Sequence, residues 1–238
     1  WMKITVFGPD ANDSNLVRRI GAMEKLGHEV VGFTLRRDED KPRPWNNIDL
    51  GRTYDAQYLQ RISSIWRSIR QIRDHPLLQE TDLFWARNLE MLAVAVSVRH
   101  HMGTAVPIVY ETLDIHRLLT KSGPAHGILR WIEGRLMKKV DAISISSPAF
   151  QREYYDKTHP DHPPITLIEN RLPSDTLPPR PGKSAPSGPL RLGWAGMLRC
   201  RRSFHTLCAI AREAEGRIEV VMHGLPAYDQ IPDFDEGV

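Results

Sequence analysis

The chain has 238 residues, 41% of them hydrophobic and 26% charged, with a formal charge of +3. That balance suits a globular protein of one large domain or one and a half ordinary ones, and it is too weakly basic to argue for nucleic acid as a partner. Two cysteines not in a Cys-x-x-Cys arrangement, no charged-then-apolar leader in residues 1–30 and no apolar run longer than Met91–Val96 point to a cytoplasmic protein without a disulfide framework.

Taken in order, Lys3–Phe7 is a β-rich run closed by Gly8-Pro9. Asn12, Asp13, Ser14 and Asn15 offer an N-cap, and Leu16, Val17, Ile20, Met23 and Leu26 recur at helical spacing up to a C-capping Gly27. Glu29–Leu35 is the next strand, which makes a βαβ unit and implies a parallel sheet. Arg36–Gly51 is polar and proline-containing and reads as a loop. Asp55–Arg73 is an amphipathic helix with Ile65, Trp66, Ile69 and Ile72 on its apolar face and Arg67 and Arg70 opposite. Strands at 81–86, 107–111, 141–145 and 165–168 alternate with helices at 88–102, 128–140 and 148–157.

Pro173 to Pro189 holds six of the 18 prolines and has the composition of a linker. Strand, helix and strand resume at 190–196, 204–214 and 218–222. The expected architecture is an α/β Rossmann-like parallel sheet with helices on both faces over residues 1–172, a linker over 173–189, and the first βαβ unit of a second such domain over 190–238. One βαβ unit cannot bury both faces of a sheet, so the second domain reads as cut off, facing the first across a cleft.

Ligands of open α/β sheets bind beyond the carboxyl ends of the strands. Here those ends carry Gly8–Ser14, Arg87-Asn88, Glu111–Arg117, Ser146-Ser147, Asn170-Arg171 and Gly193–Ser203, a polar, basic and glycine-containing set suited to a phosphorylated ligand. Gly-x-Gly-x-x-Gly is absent, which argues against a dinucleotide oxidoreductase. Asp38-Glu39-Asp40 and Asp233-Phe234-Asp235 are chance-level acidic triplets, and His159 with His162 has no cysteine nearby to complete a zinc site, so no metal and no cofactor are expected. Cys200 lies among Arg199, Arg201 and Arg202, which would lower its pKa, but no base stands at useful spacing.

The order of elements and four motifs resemble the N-terminal half of a GT-B glycosyltransferase of family 4. These are Leu26-Gly27-His28-Glu29-Val30 in the opening unit, Tyr110–His116, Ile165–Pro173, and Gly196-Met-Leu-Arg-Cys-Arg-Arg202-Ser. The resemblance implies a retaining transferase that moves a sugar from a nucleoside-diphosphate sugar to a hydroxyl of a glycan or lipid-linked glycan, in bacterial polysaccharide synthesis. It implies that His116, with Asp114 fixing its tautomer, orients the donor sugar. It places Arg199, Arg202, Gly196 and Gly8 at the donor phosphates, and Arg87, Asn88 and Asn12 are the acceptor candidates. Met197 and Ser203 depart from the family pattern, where arginine and glycine are usual. The family's donor-binding Glu-x7-Glu pair is also missing, so this chain alone is expected to have little or no transfer activity. The alternative is a non-catalytic module that binds an acceptor or a membrane surface. The basic amphipathic helices at 55–73 and 128–139, with Trp66 and Trp131, fit peripheral contact with anionic lipid at the inner face of the cell membrane, or ordinary packing on the sheet.

Overall fold

The computed structural model describes residues 1–36, 45–52, 58–115, 117–120, 123–171, 179 and 188–237, with the side chains of 58–64, 117, 118, 125 and 237 excepted. It divides into two compact units, Trp1–Leu177 and Pro178–Val238.

The first unit is built on seven parallel strands. They are β1 (Lys3–Gly8), β2 (Glu29–Arg36), β3 (Asn47–Arg52), β4 (Leu83–Arg87), β5 (Ile108–Thr112), β6 (Ala142–Ile145) and β7 (Ile165–Leu167), in spatial order β3-β2-β1-β4-β5-β6-β7. The order reverses beside β1, as it does in a doubly wound sheet, so the edge beyond the strand ends is where a ligand site is expected. Side chains alternate between the sheet's two faces. Ile4, Val6 and Trp85 pack with Leu16, Ile20 and Met23 of α1 (Ser14–Lys25). Phe7, Phe33, Phe84, Ala86, Ile108 and Tyr110 lie on the other face. They are covered by α2 (Tyr58–Ile72), α4 (Asn88–Met102) and α6 (Pro124–Met137), with α4 between the other two. Each face holds a separate apolar cluster, which is what buries a parallel sheet on both sides.

Four details differ from the sequence reading. The 36–51 stretch is not all loop, because β3 adds an edge strand. Only Leu50 is fully buried, with Ile48 packed beside it, so the apolar alternation is two residues long. Polar contacts hold it to β2 instead: Thr34 Oγ1 donates to Asn47 Oδ1 at 2.7 Å, and Arg36 pairs with Asp49 at 2.9 Å. Helix α6 starts at Pro124, whose fixed φ suits the first helical turn, and ends at Met137 rather than 140. The helix after β6 runs through α7 (Pro148–Phe150), a π-helical turn (Gln151–Tyr155) and α8 (Asp156–Thr158). That wider turn carries Tyr154 and Tyr155 as neighbours that are both buried. Finally, Trp66 does not share the buried face of α2, since it is 66% exposed. Short helices α3 (Pro76–Gln79) and α5 (Arg117–Thr120) complete this unit.

A buried carboxylate links β5, α6 and the π turn. Glu133, 1% exposed, accepts hydrogen bonds from Tyr110 OH at 3.2 Å and Tyr154 OH at 2.5 Å, and meets His159 Nε2 at 3.2 Å. Tyr155 OH pairs with Thr112 Oγ1 at 2.7 Å. Burial, with the nearby Glu133 charge, raises the pKa of all three tyrosines.

The second unit pairs β8 (Leu190–Ala195) in parallel with β9 (Ile218–His223), and packs α9 (Arg201–Glu213) on them. Its buried apolar cluster is Phe204, Cys208 and Ile231, with Phe234 of α10 (Phe234–Gly237) stacked on Phe204. The loops after the two strands touch backbone to backbone. A Cβ at Gly224 would sit 1.6 Å from Gly196 O, and both glycines have positive φ, so neither position accepts a side chain without moving the loop.

Candidate active site

The C-terminal edge of the seven-stranded sheet brings together Gly8, the Pro9–Asp13 loop, Arg87, Asn88, Glu111 and Ser146-Ser147, because their strands are adjacent and in register. A Cβ at Gly8 would meet Leu16 Cδ2 at 2.7 Å and Thr34 Cγ2 at 3.2 Å. Glycine here is thus already required for α1 to seat on the strand, whatever ligand approaches. Asn12 N–H donates to Asp10 Oδ1 at 3.0 Å, and Trp45 Nε1 donates to Ala11 O at 2.9 Å. Those two bonds fix the loop before α1. Asn88, the first residue of α4, has a φ of 70°, a left-handed conformation that asparagine tolerates better than most side chains.

Arg87 is not placed to reach out to an acceptor. It ends β4 only 2% exposed. Its Nε donates to Glu111 Oε2 at 2.8 Å and its Nη1 to Asp13 Oδ1 at 2.7 Å. Glu111, fully buried, takes a second arginine: Arg19 Nε donates to its Oε1 at 2.9 Å, while Arg19 Nη2 reaches Ile168 O at 3.3 Å. Asp13 in turn caps α1 by accepting from the N–H groups of Asn15 and Leu16, both at 2.9 Å. Four charged side chains, on β4, β5, the N-cap of α1 and its second turn, therefore form one connected network. Arg87 Nη2 is buried without a hydrogen-bond partner among the described residues.

Sequence reasoning missed Arg19 as a member of this edge and, although it placed Glu111 at the strand end, it gave that carboxylate no role. The available signal was a carboxylate ending the apolar run Ile-Val-Tyr-Glu, since a buried strand that ends in Glu must find a cation. Asp114 lies on an exposed bend beyond β5, steadied where Ser146 Oγ donates to Leu113 O at 3.1 Å. His116 falls outside the described residues, so its pairing with Asp114 does too.

In the second unit, α9 begins at Arg201 and not at Phe204, which puts Arg202 in the first helical turn. The turn contains no acidic residue. Two arginines there oppose the helix dipole. Cys200 is the N-cap, and its thiol is a weak acceptor that leaves the first-turn N–H groups without a strong side-chain cap. The Cys200 thiol is shifted below its ordinary range chiefly because Ser203 Oγ donates to it at 3.1 Å, with Arg202 a lesser influence. Arg202 thus lowers it in the direction read from the sequence, by less than the Ser203 hydroxyl does. Arg201 is engaged, 3.6 Å from Asp233 and 3.2 Å from His205. Arg199 and Arg202 have no ion pair among the described residues. Gly196, at φ 120°, turns the chain from β8 toward them.

Among the described residues no group of three or more His, Cys, Asp or Glu is arranged to hold a metal ion. Asp233 instead faces His205 at 3.5 Å as well as Arg201, and His159 is taken up by Glu133. Asp38 and Asp40 lie outside the described residues. No described helix is long and apolar enough to cross a membrane.

Residues 17–171 match the glycosyl transferase 4-like domain. The chain belongs to that family. It is 42% identical over 244 residues to the succinoglycan biosynthesis protein ExoL of Rhizobium meliloti (strain 1021), a match that takes in 98% of this chain and 60% of that protein. Three solved structures share the fold at low identity. The Anabaena Alr3699/HepE protein, determined with UDP and glucose, aligns over all of this chain and 65% of its own at 12% identity and a TM-score of 0.66. Sucrose-phosphate synthase from Thermosynechococcus elongatus covers 93% of this chain with 62% of its own at 13% identity and a TM-score of 0.65. The lipopolysaccharide outer core galactosyltransferase WaaB, in its apo form, covers 98% with 70% of its own at 13% identity and a TM-score of 0.60. The fold is that of the GT-B glycosyltransferases, an α/β Rossmann-like architecture.

Proposed function

We propose that the chain is part of a retaining glycosyltransferase of polysaccharide synthesis, which takes a sugar from a nucleoside diphosphate to a hydroxyl of a glycan or lipid-linked glycan. The observation that carries this reading is the start of α9: a weakly capped helix N-terminus flanked by Arg199 and Arg202, neither of which has an ion pair among the described residues. A leaving diphosphate needs guanidinium groups and free backbone N–H groups where its charge develops. The names of the similar proteins support it, since HepE was determined with UDP and glucose and ExoL is named for succinoglycan biosynthesis. In this reading Asn12 and Asn88 face the acceptor, and Arg87 acts as a positioning residue that holds the loop bearing Asn12. His116 keeps its assignment to the donor sugar by resemblance, and Asp114 orients it. Neither metal nor cofactor enters.

The 238 residues alone turn over little sugar nucleotide, because no two glutamates stand in the Glu-x7-Glu spacing of the family's donor segment. Binding is the sharper test. Titration of UDP and of pyrophosphate into the full chain should show binding that weakens about tenfold with Arg199→Ala and again with Arg202→Ala, the scale of a lost charge-assisted hydrogen bond. Binding unchanged in the double variant would falsify the assignment of α9.

A further inference from the structure

One face of the first unit is built unlike the rest of its surface. From Ile128 through the end of α6 and the turn that follows it, the exposed residues are Ile128, Trp131, Ile132, Arg135, Lys138 and Lys139. Their spacing of three and four places all six on a single stripe. Its first half is apolar, with Ile128 and Trp131 each 61% exposed and Ile132 37%. Its second half is cationic. The opposite face of the helix carries Glu133, Met137 and the neighbouring Val140, all buried, so the exposed stripe is not a core face left bare by a shifted helix. Arg135 lies over the Trp131 ring at 5.0 Å. Arg135, Lys138 and Lys139 pair with no carboxylate among the described residues.

Beside the stripe runs a groove of about 440 Å³ between α6 and the turn after α8. Arg130, Trp131, Arg135 and Lys138 line one side and His159 and His162 the other, with Asp161 as the opposing charge. Three cations against one carboxylate leave the groove positive. Its floor is closed where His159 meets Gly134: a Cβ there would be 3.3 Å from the imidazole, and Glu133 holds that ring. On the same side of the sheet, beyond α4, helix α2 also exposes a tryptophan, Trp66, next to exposed Arg67 and Arg70.

Aromatic and aliphatic side chains standing in water beside unpaired cations are what an interfacial protein presents to a membrane of opposite charge. A sugar-phosphate or acidic-protein partner would account for the cations and leave Ile128, Trp131 and Ile132 unexplained. We propose that this face of the first unit docks on an anionic phospholipid surface. Ile128, Trp131 and Ile132 enter the headgroup layer, and the groove beside Trp131 takes a lipid phosphate. The polarity of α6 adds a geometric consequence. It runs antiparallel to β5 and β6, which it connects, so its apolar half is the end nearer the strand ends that carry Arg87 and Glu111. The inserted end and the candidate acceptor edge thus share one end of the unit.

The proposal is independent of the transferase reading, and its test does not use nucleotide or sugar. The full chain is floated with vesicles of phosphatidylcholine alone and of phosphatidylcholine with phosphatidylglycerol. Binding is expected with the anionic vesicles alone. It should fall about 100-fold in the triple variant Arg135→Gln/Lys138→Gln/Lys139→Gln, and about tenfold in Trp131→Ser. All these positions are exposed, so circular dichroism should be unchanged, and Arg212→Gln on α9 should bind as the parent does. Equal binding by parent and triple variant overturns the proposal, as does binding to neither vesicle. Saturation of the groove by glycerol phosphate without any vesicle binding overturns it as well, and makes the groove a site for a soluble anion.

Discussion

The two units use arginine in opposite ways. At the sheet edge of the first, Arg87 and Arg19 are drawn into the protein and saturated by Glu111, Asp13 and Ile168 O. At the start of α9 in the second, Arg199 and Arg202 stand exposed on a helix end that their charge does not favour. Desolvating a guanidinium is compensated only by close, well-directed acceptors, so the first pair is committed to architecture. The second pair has no carboxylate partner among the described residues, which leaves it available to an anion. Exposure and pairing, more than the residue type, separate a structural arginine from a binding one.

The contrast is broken most directly at Glu111. Glu111→Ala leaves two arginines at the edge without their shared carboxylate, one of them buried, and should lower stability by about 3–5 kcal/mol, read from the denaturant midpoint. A variant as stable as the parent would show that the network is ornamental. The tyrosines around Glu133 extend the test to a second buried polar cluster. Their pKa values are raised in the folded state, so the native protein holds these protons more tightly than the unfolded chain does. Stability is therefore fully present below the unfolded tyrosine value near pH 10 and is lost as pH rises above it. Each tyrosine contributes up to about 1.4 kcal/mol per pH unit there, and Tyr155→Phe should reduce the alkaline slope by one such share. An unchanged slope would mean that Tyr155 ionises freely in the native state. Asp13→Ala removes both a helix cap and one of Arg87's partners, for an expected loss of about 1–2 kcal/mol. It should also weaken any acceptor analogue that Asn12 contacts, which a purely structural cap would not do.

How far the sequence reveals this depends on whether a feature is periodic or convergent. The strands, α1, α4 and the repeated βαβ opening are legible because apolar spacing reports directly on burial. Strand β3 is not, since an edge strand whose alternation is only Ile48 and Leu50, set among polar residues that bond Thr34 and Arg36, is too short a rhythm to stand out. Trp66 and Trp131 are ambiguous for the reverse reason: apolar residues at helical spacing fit core packing and an exposed lipid face alike, and only the packed structure shows them turned outward. Gly8, Asn12, Arg87 and Asn88 were identifiable as strand-end residues from topology. That Arg87 points inward was not, because its partners Asp13 and Glu111 are 74 and 24 residues away in sequence. The start of α9 was placed three residues late because Arg201 and Arg202 are poor first-turn residues, and the arginines that hid the helix end are the ones proposed to serve it.

That last point yields the smallest and most discriminating effect. If Arg202 is kept for an anion and not for α9, then Arg202→Glu should improve the helix while removing the ligand. A carboxylate in the first turn complements the dipole, so stability of the second unit should rise by about 0.3–1 kcal/mol. Pyrophosphate binding should fall by more than the tenfold expected of Arg202→Ala, since a like charge now faces the anion. Thermal melting and titration on the same variant measure the two effects, and they must move in opposite directions. Loss of both stability and binding would assign Arg202 to the structure, a role of the same kind as that of Arg87 and Arg19.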